Sequence, residues 1–363
     1  MFDQSQNTIN LFKKHIGNGD FHVLGIDPLY ENNLINVKKS IDKNRAKILI
    51  VNMEPNFFHP KHKVALQYIE LKDLLLKYKI FNCDFYITCY FNDFCHNETI
   101  NYLNENSYDW RFHKFYIDAP CIAGNTLDAV VKLDIENQNL NLKNCTMKFS
   151  HLNFVHRMHR QLFSKFLIKE KLYKNNLVNI NASEGKPTSN IKFKNKVLGI
   201  PFNHRTEWFY NKKFLDLWRD VPLKYIQHPD TTKNMGMPYL QFLQHASFNI
   251  VSETVFDYPF PYYTEKTVQP ILCKRPFIMI GPAGNLKNLK AIGFKTFSNY
   301  IDESYDNIED PNERLEAIME LVLSLDTKSH EELKEMVSNM KNTLLHNYTC
   351  MLKKIKHFTN SKN

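Results

Sequence analysis

The chain has 363 residues, 43% hydrophobic and 13% aromatic, enough for two domains of ordinary size and too apolar for a disordered chain. Its net charge of +9 is uneven: residues 1–150 hold 17 Lys/Arg against 17 Asp/Glu, so the whole excess lies beyond them. The opening MFDQSQNTINLFKKHIGNGD has no apolar core of a signal segment, and no apolar run is long enough to span a bilayer. The expected setting is soluble and cytoplasmic, without integral membrane contact.

In chain order, 21–26, 47–53, 84–90 and 114–118 read as short apolar strands, with a helix over 63–79. Three of these strands end in a carboxylate close to a proline: Asp27, Glu54 and Asp118. A carboxylate at the carboxyl end of a parallel strand is placed to act as a general base or to hold an acceptor. The proline alone, by fixing the turn, would also explain the pattern. Residues 119–146 read as a loop or hairpin closing a first domain, 1–146.

A strand at 147–154 then leads through His156-Arg157-Met158-His159-Arg160 into a helix. Leu162, Phe163, Phe166, Leu167 and Leu172 recur there at helical period and predict a core face. Strand, basic turn and helix make the entry of a Rossmann-like domain. Arg157 and Arg160 stand at the helix start, where guanidinium groups reach a diphosphate. Residues 151–213 hold 13 basic against three acidic residues, a local excess that suits a polyanion or a solvated face. Short strands are expected at 190–195 and 197–200, and an aromatic helix at 206–218. Its Trp208 offers a stacking surface for an acceptor or a core contact.

Residues 247–306 carry the densest signal: strand, acidic loop, helix, strand, Gly-Pro turn, helix, strand. The strand 248–251 ends in Ser252-Glu253-Thr254, and Tyr263-Thr264-Glu265-Lys266 opens the next helix with Thr264 as N-cap. A helix N-terminus presents N–H groups to a phosphate, Lys266 adds charge, Glu265 suits two ribose hydroxyls, and Tyr263 suits a base or phosphate. The plainer reading is a capped, solvated helix start. Helices follow over 312–325 and 329–356. The seven cysteines have no zinc-like spacing and read as reduced thiols; His156 and His159 lack an evident third ligand, so no metal is expected.

The sequence Ser252-Glu253-Thr254 with Tyr263-Thr264-Glu265-Lys266 resembles the nucleotide-sugar-binding segment of GT-B glycosyltransferases, the alpha-fucosyltransferase type above all. The stretch 274–306 and the run Asn153, Arg157, His159, Arg160 resemble glycosyltransferase-like proteins of viral and marine microbial genomes. Met53-Glu54-Pro55 is loosely similar to a Glu-Ser-Pro stretch of fucosyltransferase-like enzymes. The likeness covers roughly 147–325, and departs from the fucosyltransferase pattern in the longer loop 257–262 and at Thr254.

The resemblance implies an α/β fold of GT-B type, two Rossmann-like domains facing each other across a cleft. These would be 1–146 on the acceptor side and 147–328 for the donor, with 329–363 a terminal helix returning to the first. It implies transfer of a sugar from a nucleoside-diphosphate sugar to an acceptor hydroxyl, with inversion and no cofactor. Arg157, Arg160, Glu253, Tyr263, Thr264, Glu265 and Lys266 would hold the donor. Glu54 would be the base, and Asp27, Asp118 and Trp208 would bind the acceptor. No Asp-x-Asp triplet occurs, which agrees with metal independence. The acceptor is a glycan or, given the basic block, a hydroxymethylated base in duplex DNA. A non-enzymatic nucleic-acid-binding module stands as a third alternative.

Overall fold

The computed structural model describes residues 4–16, 21–25, 46–51, 75–77, 79, 81, 83–90, 100–117 (without 102, 106 and 108), 140–153, 157–180, 191–193, 196–198, 212–222, 242–258 and 261–359. The chain divides into two units, Asp3–Cys121 with Lys354–Asn363, and Ile122–Lys353 with Met1–Phe2. The division falls at 121/122, where the sequence suggested 146. Residues just before 147 are tied to the segment 245–247. The N–H groups of Thr146 and Met147 both donate to the His245 carbonyl at 2.9 Å, and Cys145 Sγ lies 3.3 Å from Ser247 Oγ. The expected α/β class holds in both units, since each carries a four-stranded parallel sheet.

In the first unit, helix α1 (Gln4–Ile16) precedes strands β1 (Phe21–Gly25), β2 (Ala46–Val51), β3 (Cys83–Tyr90) and β4 (Trp110–Ile117), paired in that order. The strand expected at 114–118 begins four residues earlier, because Trp110 and Phe112 are core residues paired in register with Cys83 and Phe85. Helix α1 was not anticipated. Its Ile9, Phe12 and Ile16 have helical spacing among polar residues, and Phe12 is wholly buried against Phe21, Tyr86 and Phe115, at 4.9, 4.9 and 5.2 Å between ring centres. Of the expected helix 63–79, only 75–77 lie within the described helical residues.

The second unit runs β5 (Met147–Asn153), α2 (Met158–Lys169), β6 (Leu177–Ile180), a small antiparallel pair β7 (Ile191–Phe193) and β8 (Lys196–Leu198), then α3 (Lys212–Asp220) and β9 (Ala246–Ser252). It continues with α4 (Glu265–Leu272), β10 (Phe277–Ile280), α5 (Asn285–Ala291), α6 (Pro311–Asp326), α7 (His330–Asn339) and α8 (Lys341–Thr359), whose residues from Lys354 on are counted with the first unit. Its sheet has the order β10-β9-β5-β6. Burial of β6, β9 and β10 is continuous along each strand, as a sheet covered on both faces requires. All five predicted apolar positions of 162–172 are buried, and so are His159, Arg160, Ser164 and Lys165, so the middle of α2 is buried around its whole circumference.

Two expectations fail here. No strand forms around Phe294–Phe297, although both phenylalanines are buried. The backbone there bonds to side chains instead. Asn347 takes the Lys295 N–H at 2.7 Å and gives to the Lys295 carbonyl at 2.8 Å, and Glu303 takes the Phe297 N–H at 2.6 Å. The terminal helix is two helices, α7 and α8, meeting at Met340; α7 starts on a Ser329/Glu332 capping box.

Candidate functional site

Strand order reverses between β5 and β9, because β6 lies on one side of β5 while β9 and β10 lie on the other. Right-handed crossovers then send α2 and α4 to opposite faces. The side chains of β5 agree. His151 packs against Phe163 of α2 at 5.1 Å, whereas Ser150 and Leu152 line a cavity with Lys266, Gln269 and Pro270 of α4. The carboxyl ends of β5 and β9 thus open into a crevice flanked by the first turns of α2 and α4. In open α/β sheets this is where ligands bind.

Glu253, one residue past β9, organises the crevice from within. It is fully buried, and its carboxylate accepts from Thr264 N–H at 3.1 Å, Thr264 Oγ1 at 2.6 Å and Thr267 Oγ1. Its carbonyl accepts from His159 Nε2 at 2.9 Å and Arg160 Nη2 at 2.8 Å, and its N–H donates to Ile280 at 2.9 Å. Arg160, 3% exposed, also donates to the Ser252 carbonyl at 3.0 Å. Burial above all, and then the neighbouring arginine, hold His159 well below the ordinary histidine range, so it donates as a neutral ring.

Thr264 is the N-cap of α4 as expected, its Oγ1 accepting from Lys266 N–H at 3.3 Å. Three N–H groups at this helix start are therefore taken up within the fold, where the sequence suggested open donors. Thr264 N–H goes to Glu253, Lys266 N–H to the cap and Thr267 N–H to the Thr264 carbonyl. Lys266 Nζ lies 2.7 Å from Glu265 Oε1, with side chains 26% and 39% exposed. Desolvation pushes the Glu265 carboxyl up, but Lys266 and Arg160 outweigh it and leave the group below its usual value.

Tyr263 faces away from this work. Its hydroxyl donates to the Asn285 carbonyl at 2.5 Å and accepts from Asn288 Nδ2 at 3.2 Å, and burial raises its pKa well above the usual. Asn285 also grips Tyr262, accepting its N–H at 2.9 Å and donating to its carbonyl at 3.2 Å. Asn285 lies directly under Gly281, where a Cβ would meet its Nδ2 at 2.5 Å. The start of α5 is capped from a distance by Asp306, whose carboxylate accepts from Leu286 and Lys287 N–H at 2.9 Å each.

Arg314 of α6 completes the rim. It is 2% exposed, donates to the carbonyls of Phe256, Gly281, Ile308 and Glu309, and lies 4.5 Å from the Phe256 ring centre. Burial lowers it to about 10. The Phe256 ring also stacks on His159 at 5.4 Å.

Of the predicted donor residues, Arg160, Glu253, Thr264, Glu265 and Lys266 converge on one rim, with Arg157 at the N-cap of α2. Among them only Arg157, Glu265 and Lys266 combine a charged group with a half-buried side chain at a helix start. Glu54, Asp27, Asp118 and Trp208 lie outside the described residues. Arg314, Asn285 and Asp306 were missed as supports. Arg314 had a signal, an arginine on the apolar stripe Leu315, Ile318, Met319, Val322.

No family model matches the chain, and no curated protein matches it. A solved structure, that of apo UGT2 from Phytolacca americana, aligns over 99% of this chain and 80% of its own at 11% identity and TM-score 0.30. Likeness at that level bears on neither mechanism nor ligand. The basic block at 151–213 is not one surface. Arg160 and Lys165 are buried, Lys165 on the Val221 carbonyl, and Lys213 lies 3.2 Å from Glu316, while Lys169, Lys171 and Lys174 are exposed. Among the described residues no helix is long and apolar enough to cross a membrane.

Proposed function

We propose that the chain is a glycosyltransferase whose 122–353 unit binds a nucleoside-diphosphate sugar at the carboxyl ends of β5 and β9. The observation that carries this reading is the reversal of strand order between β5 and β9, with Arg157, Glu265 and Lys266 in the helix turns flanking it. The sequence resemblance independently points to the same segment. With the N–H groups of Thr264, Lys266 and Thr267 taken up within the fold, the diphosphate is held by Lys266 and Arg157 side chains, and Glu265 takes ribose hydroxyls. Glu253, Arg160, Thr264 and Tyr263 position that set without touching the ligand.

In the reaction, the acceptor hydroxyl loses its proton to a carboxylate, assigned to Glu54, as its oxygen bonds to the anomeric carbon. The bond from that carbon to the diphosphate oxygen breaks, its electron pair leaving with the diphosphate. Lys266 and Arg157 stabilise the departing charge. Inversion at carbon follows the resemblance. A glycan is the proposed acceptor. The DNA alternative draws less support, because part of the basic block is spent inside the fold.

A thermal-shift panel of UDP, GDP, CMP and their sugars tests the reading. One nucleotide is expected to stabilise the parent chain and to fail with Glu265→Ala and Lys266→Ala. Salt-sensitive binding to plain DNA with no nucleotide shift would replace the transferase by a nucleic-acid-binding module.

A further inference from the structure

Arg314 is a charge buried beside an apolar helix face. It stands on α6 next to the stripe Leu315, Ile318, Met319 and Val322, and is itself 2% exposed. Burial lowers its pKa only to about 10, with Asp257 and Glu309 among the carboxyls that favour the charge, so it stays charged at neutral pH. A buried charge is a poor source of stability, since well-packed apolar residues commonly serve as well or better. What a guanidinium supplies, and an apolar side chain cannot, is several donors held in one rigid plane.

Those donors go to main-chain carbonyls where the chain leaves one element for the next. Nε donates to Gly281, just past β10, at 3.2 Å, and Nη2 to Phe256, beyond β9, at 2.9 Å. Nη1 donates to Ile308 and Glu309, ahead of α6, at 2.6 and 3.0 Å. One planar group therefore sets the separation of two strand exits. The guanidinium also lies 4.5 Å from the Phe256 ring centre, and His159 of α2 stacks on the same ring at 5.4 Å. His159 Nε2 and Arg160 Nη2 both donate to the Glu253 carbonyl, so the first turn of α2 is tied to the chain running from Glu253 to Phe256. Arg157 is the N-cap of that helix, two residues before His159. The same stretch is tied to α4, where the Glu253 carboxylate holds Thr264, two residues before Lys266. Contacts thus run without a break from Arg314 to both helix starts.

We infer that Arg314 is a positioning residue for the donor site: acting through Phe256 and His159, it sets the place of Arg157 at the start of α2 relative to Lys266 at the start of α4. The inference rests on the nucleotide-sugar reading. A diphosphate shared by side chains of two helices is sensitive to that spacing, because hydrogen bonds between charged groups hold only over a narrow range of distance.

The experiment is a double-mutant cycle read by calorimetric titration, with the nucleotide that the thermal panel selects and at a temperature where every variant is folded. Arg314→Met keeps the length of the side chain and removes its donors. Parent, Arg314→Met, Arg157→Ala and the double variant are compared, with Lys266→Ala as the control for the donor site. Arg314→Met is expected to weaken binding to the parent about 5- to 20-fold, but to Arg157→Ala by less than about 2-fold, since no Arg157 is left to misplace. Phe256→Leu takes the ring from His159 and leaves the carbonyl bonds in place. It should weaken binding in the same pattern by a smaller factor, and it carries the cycle if Arg314→Met does not fold. Arg314→Lys keeps the charge without the planar fork and should bind as weakly as Arg314→Met; parent-like affinity would mean that Arg314 supplies charge and not position. Equal factors on the parent and on Arg157→Ala would also overturn the inference. So would a lowered melting temperature with unchanged affinity, the mark of a purely structural tie; a loss with Lys266→Ala alone would then leave the donor site standing. If no nucleotide binds the parent, the donor reading fails and this inference falls with it.

Discussion

Glu253 shows how one side chain can shape a candidate site from within the core. Its carboxylate satisfies one backbone N–H and two threonine hydroxyls while wholly buried. Glu253→Ala strands those three donors and should cost about 2–4 kcal/mol, read as a lowered urea midpoint. Glu253→Gln, which keeps the shape, should cost less; equal losses would mean that packing, and not the hydrogen bonds, is what Glu253 provides. Lys266 and Glu265 behave oppositely. Both are partly exposed, and an exposed ion pair contributes little to stability, so Lys266→Ala and Glu265→Ala should shift it by less than about 1 kcal/mol. A large loss in unfolding experiments would recast them as structural residues. The sequence put all three in one functional set because residue type does not reveal burial. A Glu closing a strand and a Glu opening a helix look alike until the strand is seen to end beneath the helix cap.

At the scale of elements, the crevice is set by clips between loops. Asn285 grips Tyr262, Tyr263 grips α5, Asp306 caps α5, and Arg314 ties the chain after β9 to that after β10. Gly281 makes the first possible by leaving room for Asn285. Gly281→Ala must displace that amide and should cost about 1–3 kcal/mol. Because Asn285 holds the run into Thr264, the same variant should also weaken nucleotide binding; unchanged affinity would separate the Asn285 clip from the site. Strands β5, β9 and β10 and the α4 cap were legible, since apolar runs bounded by Ser-Glu-Thr, Thr-Glu-Lys and Gly-Pro have local causes. Strand β6 was missed. Leu177–Ile180 is only four residues long, yet its place beside β5 creates the reversal on which the proposed site rests. The strand expected near Phe294 failed for a related reason: its apolar residues are core, but its hydrogen bonds go to Asn347 and Glu303, side chains outside the strand pattern.

For the molecule as a whole, two buried histidines lower stability in mild acid, and the raised carboxyls of Glu303 and Asp306 offset part of that loss toward more acid pH. Burial lowers His151 from 6.5 to about 4 and His159 well below 6.5. The unfolded chain takes up protons near pH 6.5 that the fold refuses, so stability falls as pH drops below 6.5, by up to about 1.4 kcal/mol per unit for each histidine. Glu265, whose carboxyl is held low, adds a loss only at lower pH, as the pH falls through its folded value. Melting temperatures between pH 7.5 and 5 should therefore decline, and less steeply for His151→Leu. A profile flat over that range, or identical in the variant, would contradict neutral buried rings. The proposed role of the β5 and β9 rim is to bind a nucleoside diphosphate through Lys266 and Glu265. Calorimetric titration of UDP and GDP into the parent, Lys266→Ala and Glu265→Ala proteins tests it directly. One nucleotide is expected to bind the parent and to lose at least about tenfold in affinity, roughly 1.4 kcal/mol, with either variant. Equal affinity for all three proteins, or no binding to the parent by either nucleotide, would contradict it.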